Sequence, residues 1–217
     1  MTDGTVRDTS TTTDDDPHEG GFRPHSAITT DRGGPHYGEF SEQVRTLMDN
    51  ARYACPTGDL TDELIADLKA INEKLAAVRI DEWHSPAGTR IDLPSRGNIT
   101  LPPYEVDEVN DDGVIATVTF RDFHLGGNNA AHGGQIAVAF DDLGGFASAV
   151  ATQAVCRTGY LTVHYRSITP LNTPLQLHTW AEKVDGRKVS IRGTLSDGER
   201  LCAEMEALFI KLKPGQP

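Results

Sequence analysis

Large apolar side chains are sparse through residues 1–38, where TSTTTDDD and DRGGPH dominate. Such a stretch cannot bury enough surface to offset the entropy of ordering, so a disordered tail is expected. From Phe40 the spacing becomes helical. Phe40, Val44, Leu47 and Ala51 fall on one face, and the pattern stops near Pro56-Thr57-Gly58. A second helix is predicted to start at Asp59 or Thr61, either of which can cap it, with Leu64, Leu68, Ile71 and Leu75 on its apolar side. Acidic residues crowd its first turns, as the helix dipole favours. Residues 84–103 carry Pro86, Gly88, Pro94, Gly97, Pro102 and Pro103 and read as a connection lying over the surface.

Beyond residue 103 the period is two. Residues 104–109 and 114–120 flank the turn Asn110-Asp111-Asp112-Gly113 and predict a hairpin. After a loop over 121–131, an apolar helix is predicted from 133 to about 154. Four strands follow, at 159–167, 175–184, 188–195 and 201–212, two of the turns between them having the Asp-Gly signature of tight hairpins. Within the first of these strands, Leu161, Val163 and Tyr165 alternate with Thr162, His164 and Arg166. Two strands, one long buried helix and four more strands predict an antiparallel β-sheet wrapped around one central helix, an α+β domain. The expected organisation is a tail over 1–38, a helical extension and linker over 39–95, and the sheet domain over 96–217.

Charge narrows the function classes. The net charge of −12 argues against a general nucleic-acid binder, which needs clustered Lys and Arg on phosphates. Cys55, Cys156 and Cys202 lack metal-ligand spacing and fit a reducing compartment better than a disulfide framework. No apolar run reaches membrane-spanning length, and the first residues lack the pattern of a signal peptide. A soluble cytoplasmic protein with no membrane partner is expected.

The candidate chemistry lies at residues 132–142, HGGQIAVAFDD. Gly133 and Gly134 open a helix whose first N–H groups lack intrahelical partners, which suits a developing oxyanion. On that helix Ile136, Phe140, Leu143, Ala147 and Val150 form one apolar stripe, predicted to pack on the sheet. Asp141 lies off the stripe among small residues, where its charge is either functional or simply solvated. Asp142 is rotated by about 100° from Asp141 and reads as a capping or salt-bridge partner. His124 reads as a hydrogen-bonding surface residue of the loop.

Four elements in order resemble the hotdog-fold acyl-CoA thioesterases, specifically the PaaI-like group. They are His132-Gly133-Gly134 with Asp141 nine residues after the histidine; residues 158–166, TGYLTVHYR, leading to Pro170-Leu171 and Thr173-Pro174-Leu175; Gly186-Arg187-Lys188-Val189; and Leu201-Cys202-Ala203-Glu204. The resemblance covers roughly residues 100–212. It implies a hotdog fold and hydrolysis of acyl-CoA to free acid and CoA. Gly133 would donate its N–H to the thioester oxygen, His132 would orient the thioester, and Asp141 would act as general base or nucleophile. Thr158 would match a hydroxyl that positions the attacking water. Gly134 adjoins this turn as a substrate contact, and Arg187 and Lys188, with Arg166 behind them, are the candidates for the CoA phosphates. Sites between the subunits of a homodimer, or of a homotetramer made as a dimer of dimers, are implied. No cofactor or metal is needed, since a thioester is already electrophilic and its thiolate leaves well. Two departures stand out: Gly126 occupies the position six before His132, where some active members carry Asn, and the segment from Asp141 to Thr158 is one residue longer than in some relatives.

Two other functions fit parts of the chain. A hotdog enoyl-CoA hydratase would use Asp and His five apart, which occurs only as Asp31 and His36 in the expected tail. A non-catalytic acyl-CoA-binding protein would keep the fold alone.

Overall fold

The structure is a computed structural model describing residues 28–82 and 84–213. In chain order its elements are α1 (Tyr37–Tyr53), α2 (Asp59–Ala76), β1 (Tyr104–Asn110), β2 (Gly113–Thr119), β3 (Leu125–Gly127), β4 (Ala130–Ala131), α3 (Gly133–Thr152), β5 (Cys156–Tyr165), β6 (Pro174–Asp185), β7 (Lys188–Asp197) and β8 (Arg200–Lys211). Six strands form one sheet in the order β1-β2-β6-β7-β8-β5, with every neighbouring pair antiparallel. The helix α3 crosses one face and touches β2, β5, β6, β7 and β8. This is the hotdog arrangement, and the six sheet strands and α3 begin and end within a few residues of the sequence expectation, while the short β3–β4 hairpin lies where a loop was expected.

Period-two burial explains why the sheet wraps the helix. Val189, Ile191 and Leu195 of β7 and Met205, Ala207 and Phe209 of β8 alternate inward, meeting Ile136, Phe140, Leu143 and Ala147 of α3. Burying each large side chain contributes about 1.5–3 kcal/mol. Phe140 sits over Gly193, where an added Cβ would lie 3.0 Å from the ring, so the close approach of helix to sheet depends on glycine there. Two tight turns, with Gly186 and Gly198 at φ 60° and 57°, set the registers Asp185↔Lys188 and Asp197↔Arg200.

The apolar stripe of α1 does not face the body: Phe40 and Leu47 are exposed, and the buried residues are Ser41 and Arg45. What α1 covers is a polar loop. Arg45 donates to the Asn98 carbonyl at 3.1 Å, while Glu42 and Asp49 hold Arg121 at 2.6 Å each. No side chain of α2 is buried.

The linker is more than a surface connection, since Thr89, Arg90 and Ser95 are buried. Residues 1–27 of the expected tail lie outside the described residues, but residues 28–36 are tied down. Thr29 bridges to Arg90, and the Arg90 guanidinium donates to the carbonyls of Arg32 and Gly34 while pairing with Asp92 at 2.7 Å. Composition hid this because the anchoring cation lies some 60 residues downstream of Thr29. Among the described residues, no helix is long and apolar enough to cross a membrane.

Candidate active site

The mouth of α3 is built by the segment before it. A short 3-10 turn at Asp122–His124 leads into the small β3–β4 hairpin, whose tip Asn128-Asn129 takes left-handed φ angles of 49° and 59°. His132 then caps α3: its Nδ1 accepts the Gly134 N–H at 3.0 Å, and its carbonyl accepts from Gln135 and Ile136. With Nδ1 an acceptor, the proton of a neutral His132 ring sits on Nε2. The Gly133 amide is left without a partner among the described residues, which suits the oxyanion role implied for it. Gly134, placed in the sequence reading as a substrate contact, has already committed its amide to the His132 ring. At Gly133 an added Cβ would lie 2.9 Å from the tip of the Tyr165 ring, whose hydroxyl donates to the Gly133 carbonyl at 2.8 Å, so a larger residue there would displace Tyr165 from that bond.

Two turns further along, Thr158 Oγ1 donates to Asp141 Oδ1 at 2.7 Å, both residues being exposed. A regular strand would forbid this contact. Counting back from Leu161, Val163 and Tyr165, which face the helix, Thr158 is out of phase and would point away. The register slips between Thr158 and Tyr160, so that Thr158 opposes Phe209 and Tyr160 opposes Leu208. Gly159 is thus the unpaired residue of a β-bulge, and the bulge returns Thr158 to the helix face. Strand alternation alone could not reveal this.

Asp142 is engaged elsewhere, as its rotation from Asp141 suggested. Arg96 Nη2 reaches its two oxygens at 2.8 and 3.1 Å, and the Tyr104 hydroxyl donates to it while touching Arg96. Burial, and then the Asp142 carboxylate, push the Tyr104 phenol well above its ordinary pKa. Arg96 comes from the linker, where Ser95 and Arg96 hold left-handed φ angles of 49° and 55°. Sequence reasoning missed Arg96 because its partner lies 46 residues away, although an arginine amid clustered Pro and Gly was visible.

His124 corrects the sequence reading. It is fully buried rather than on the surface, with Nδ1 accepting the Arg121 N–H at 2.8 Å and its carbonyl accepting the His132 N–H at 2.8 Å. Nε2 is buried without a partner among the described residues, and burial lowers the ring's pKa to about 4.

Within a single copy, the cations expected for CoA do not converge. Arg187 and Lys188 lie in the β6–β7 turn and at the start of β7, at the end of the sheet near Thr158, where Arg187 Nε donates to the Lys211 carbonyl at 2.8 Å. Arg166 does not stand behind them. It follows the opposite end of β5, about 27 Å away at 3.4 Å per residue, and pairs with Glu204 at 2.6 Å. Asp31 and His36 do not form a hydratase dyad: Asp31 accepts from Thr29, and His36 lies 3.8 Å from Glu39. No cluster of three or more His, Cys, Asp or Glu among the described residues is arranged to hold a metal.

Gly133 and Asp141 share one helix, eight residues and about 12 Å of rise apart, too far to act on one carbonyl within a single copy.

No family model matches the chain. Acyl-coenzyme A thioesterase THEM4 of Mus musculus is 33% identical over 88 residues, 40% of this chain and 37% of the relative. THEM4 of Xenopus laevis is 40% identical over 85 residues, 38% of each chain. The match therefore spans little more than a third of these curated relatives. A crystal structure of a thioesterase superfamily protein superposes with a TM-score of 0.69 at 24% identity, covering 84% of this chain and 98% of that one, so the fold is shared. Residues from 96 onward are little more than half of this chain, so that coverage takes in much of the helical extension too.

Proposed function

We propose that the protein hydrolyses acyl-CoA thioesters to the free acid and CoA. The observation that carries this is the Thr158 hydroxyl on the Asp141 carboxylate, 2.7 Å apart on an exposed face beside the edge strand β5. A carboxylate with a fixed hydroxyl can orient and deprotonate a water. The resulting hydroxide attacks the carbonyl carbon, the oxygen takes the charge and is held by a Gly133 amide, and the tetrahedral species expels the CoA thiolate. That thiolate recovers the proton held by Asp141. Direct attack by Asp141, with hydrolysis of the anhydride, uses the same parts. The resemblance of 85–88 residues of the chain to acyl-coenzyme A thioesterases supports the substrate class.

The two halves of the site belong to two copies on this reading. β5 pairs with β8 on one side and is the edge of the sheet on the other, with Thr158 near one end and Tyr165 at the other. Antiparallel self-pairing of that edge would set the Tyr165 end of one copy, and with it the mouth of α3, beside the Asp141–Thr158 pair of the other. This supports a homodimer, with the homotetramer as its pairwise assembly. Arg187 and Lys188 then remain as the phosphate contacts. The cysteines, unpaired in the structure, support a cytoplasmic setting.

A second reading, acyl-CoA binding without turnover, is favoured by one observation: at Gly126 an added Cβ would lie 2.8 Å from the His132 Cα, so the Asn of some active relatives has no room. A panel of acyl-CoAs of graded chain length, read by a thiol reagent, separates the possibilities. Thiol release that falls by about 10²–10⁴-fold in Asp141→Asn, with KM little changed, is expected. Tight binding with no release in the native protein would leave the binding reading. Loss of the enoyl absorbance without thiol release would instead mean hydration.

A further inference from the structure

Helix α2 is 18 residues long, and nothing in the described chain covers it. Leu60, Leu64, Ile65, Leu68, Ile71 and Leu75 are 53, 40, 44, 41, 46 and 39% exposed, and Val78 in the turn after it is 71% exposed. An isolated helix of this length and composition is marginal in water, so its stability calls for a partner on the apolar side. Residues 1–27 offer little cover, since Met1, Val6 and Phe22 are their only large apolar side chains.

We propose that α2 packs against α2 of a second copy, antiparallel across a two-fold axis. Leu64, Leu68, Ile71, Leu75 and Val78 recur at intervals of four, three, four and three, the seam of a two-stranded coiled coil. An antiparallel pairing sets Leu68 of one copy against Ile71 of the other and Leu64 against Leu75. In that register the flanking positions place Asp67 of one copy beside Lys74 of the other, and symmetry makes the contact twice. The parallel alternative sets Asp67 beside Asn72 and Lys74 beside Arg79, two like charges. Charge therefore selects the antiparallel arrangement, and the occupant it fits is this chain itself. The contact is separate from the β5 edge and holds whatever reaction the protein catalyses.

Cross-linking tests the pairing directly. In the full chain carrying Cys55→Ser, which removes the exposed thiol, Leu64→Cys and Leu75→Cys are made separately. The antiparallel register predicts a disulfide-linked dimer when the two proteins are mixed and oxidised, and none from either alone. Cross-linking of either variant with itself shows a parallel pair and overturns the proposal. So does the absence of a mixed cross-link between folded proteins, including the case where deletion of residues 1–27 alone speeds hydrogen exchange in α2. As a second readout, Asp67→Lys should weaken assembly in sedimentation tenfold or more, and Asp67→Lys with Lys74→Asp should restore it to within about threefold of the native chain. Equal assembly in all three proteins contradicts the pairing.

Discussion

Burial of the His124 ring makes the fold sensitive to acid. His124 is neutral in the folded protein with a pKa near 4, against 6.5 when exposed, so between those values the unfolded chain binds the proton more readily. Its contribution is complete above about pH 6.5 and lost as pH falls toward 4. The cost over that window is about 3 kcal/mol, at 1.36 kcal/mol per pKa unit. Denaturant midpoints measured from pH 7 to 4 should therefore fall more steeply in the native chain than in His124→Gln. Arg96 acts at the same scale by neutralising Asp142 beside the proposed base. Both side chains keep some exposure, 29 and 21%, so Arg96→Ala is expected to cost about 2 kcal/mol rather than the full penalty of a buried pair, and a double-mutant cycle with Asp142→Asn should recover most of it.

At the scale of elements, α1 braces the mouth of α3 through polar contacts. Asp49 pairs with Arg121 and accepts the Phe123 N–H at 3.2 Å, and the turn it holds ends at His124, whose carbonyl takes the His132 N–H. Asp49→Ala should lower kcat several-fold while the fold survives, with far-UV circular dichroism and kcat read on the same sample; an unchanged kcat would confine Asp49 to stability. This brace was illegible in the sequence, because Phe40 and Leu47 suggested an apolar contact and the ion pairs join residues more than 70 apart. The sheet and α3 were legible because their periods of two and 3.6 are local and strong. Asp141 stood out by its place off the apolar stripe. Thr158 was reached by resemblance alone, since the bulge that aims it depends on pairing with β8. The linker was misread for the reason that Arg96 and Arg90 were missed: a segment rich in Pro and Gly is fixed by distant partners, which composition does not record.

For the whole molecule, the exposed β5 edge and the uncovered α2 are two surfaces that point to assembly, and an anionic chain of net charge −12 must bring like charge together to use them. Added salt should therefore favour association, which sedimentation at 20 and 300 mM NaCl would register as a rise in mass at fixed concentration. The spacing of Gly133 and Asp141 along α3 has a kinetic consequence. If each helix supplies one half of a reaction centre, a lone chain is inert, and in dilute solution turnover rises with the square of the amount of protein added. The protein would then respond to its own abundance, idle when scarce and switching on as synthesis carries it past the threshold for pairing.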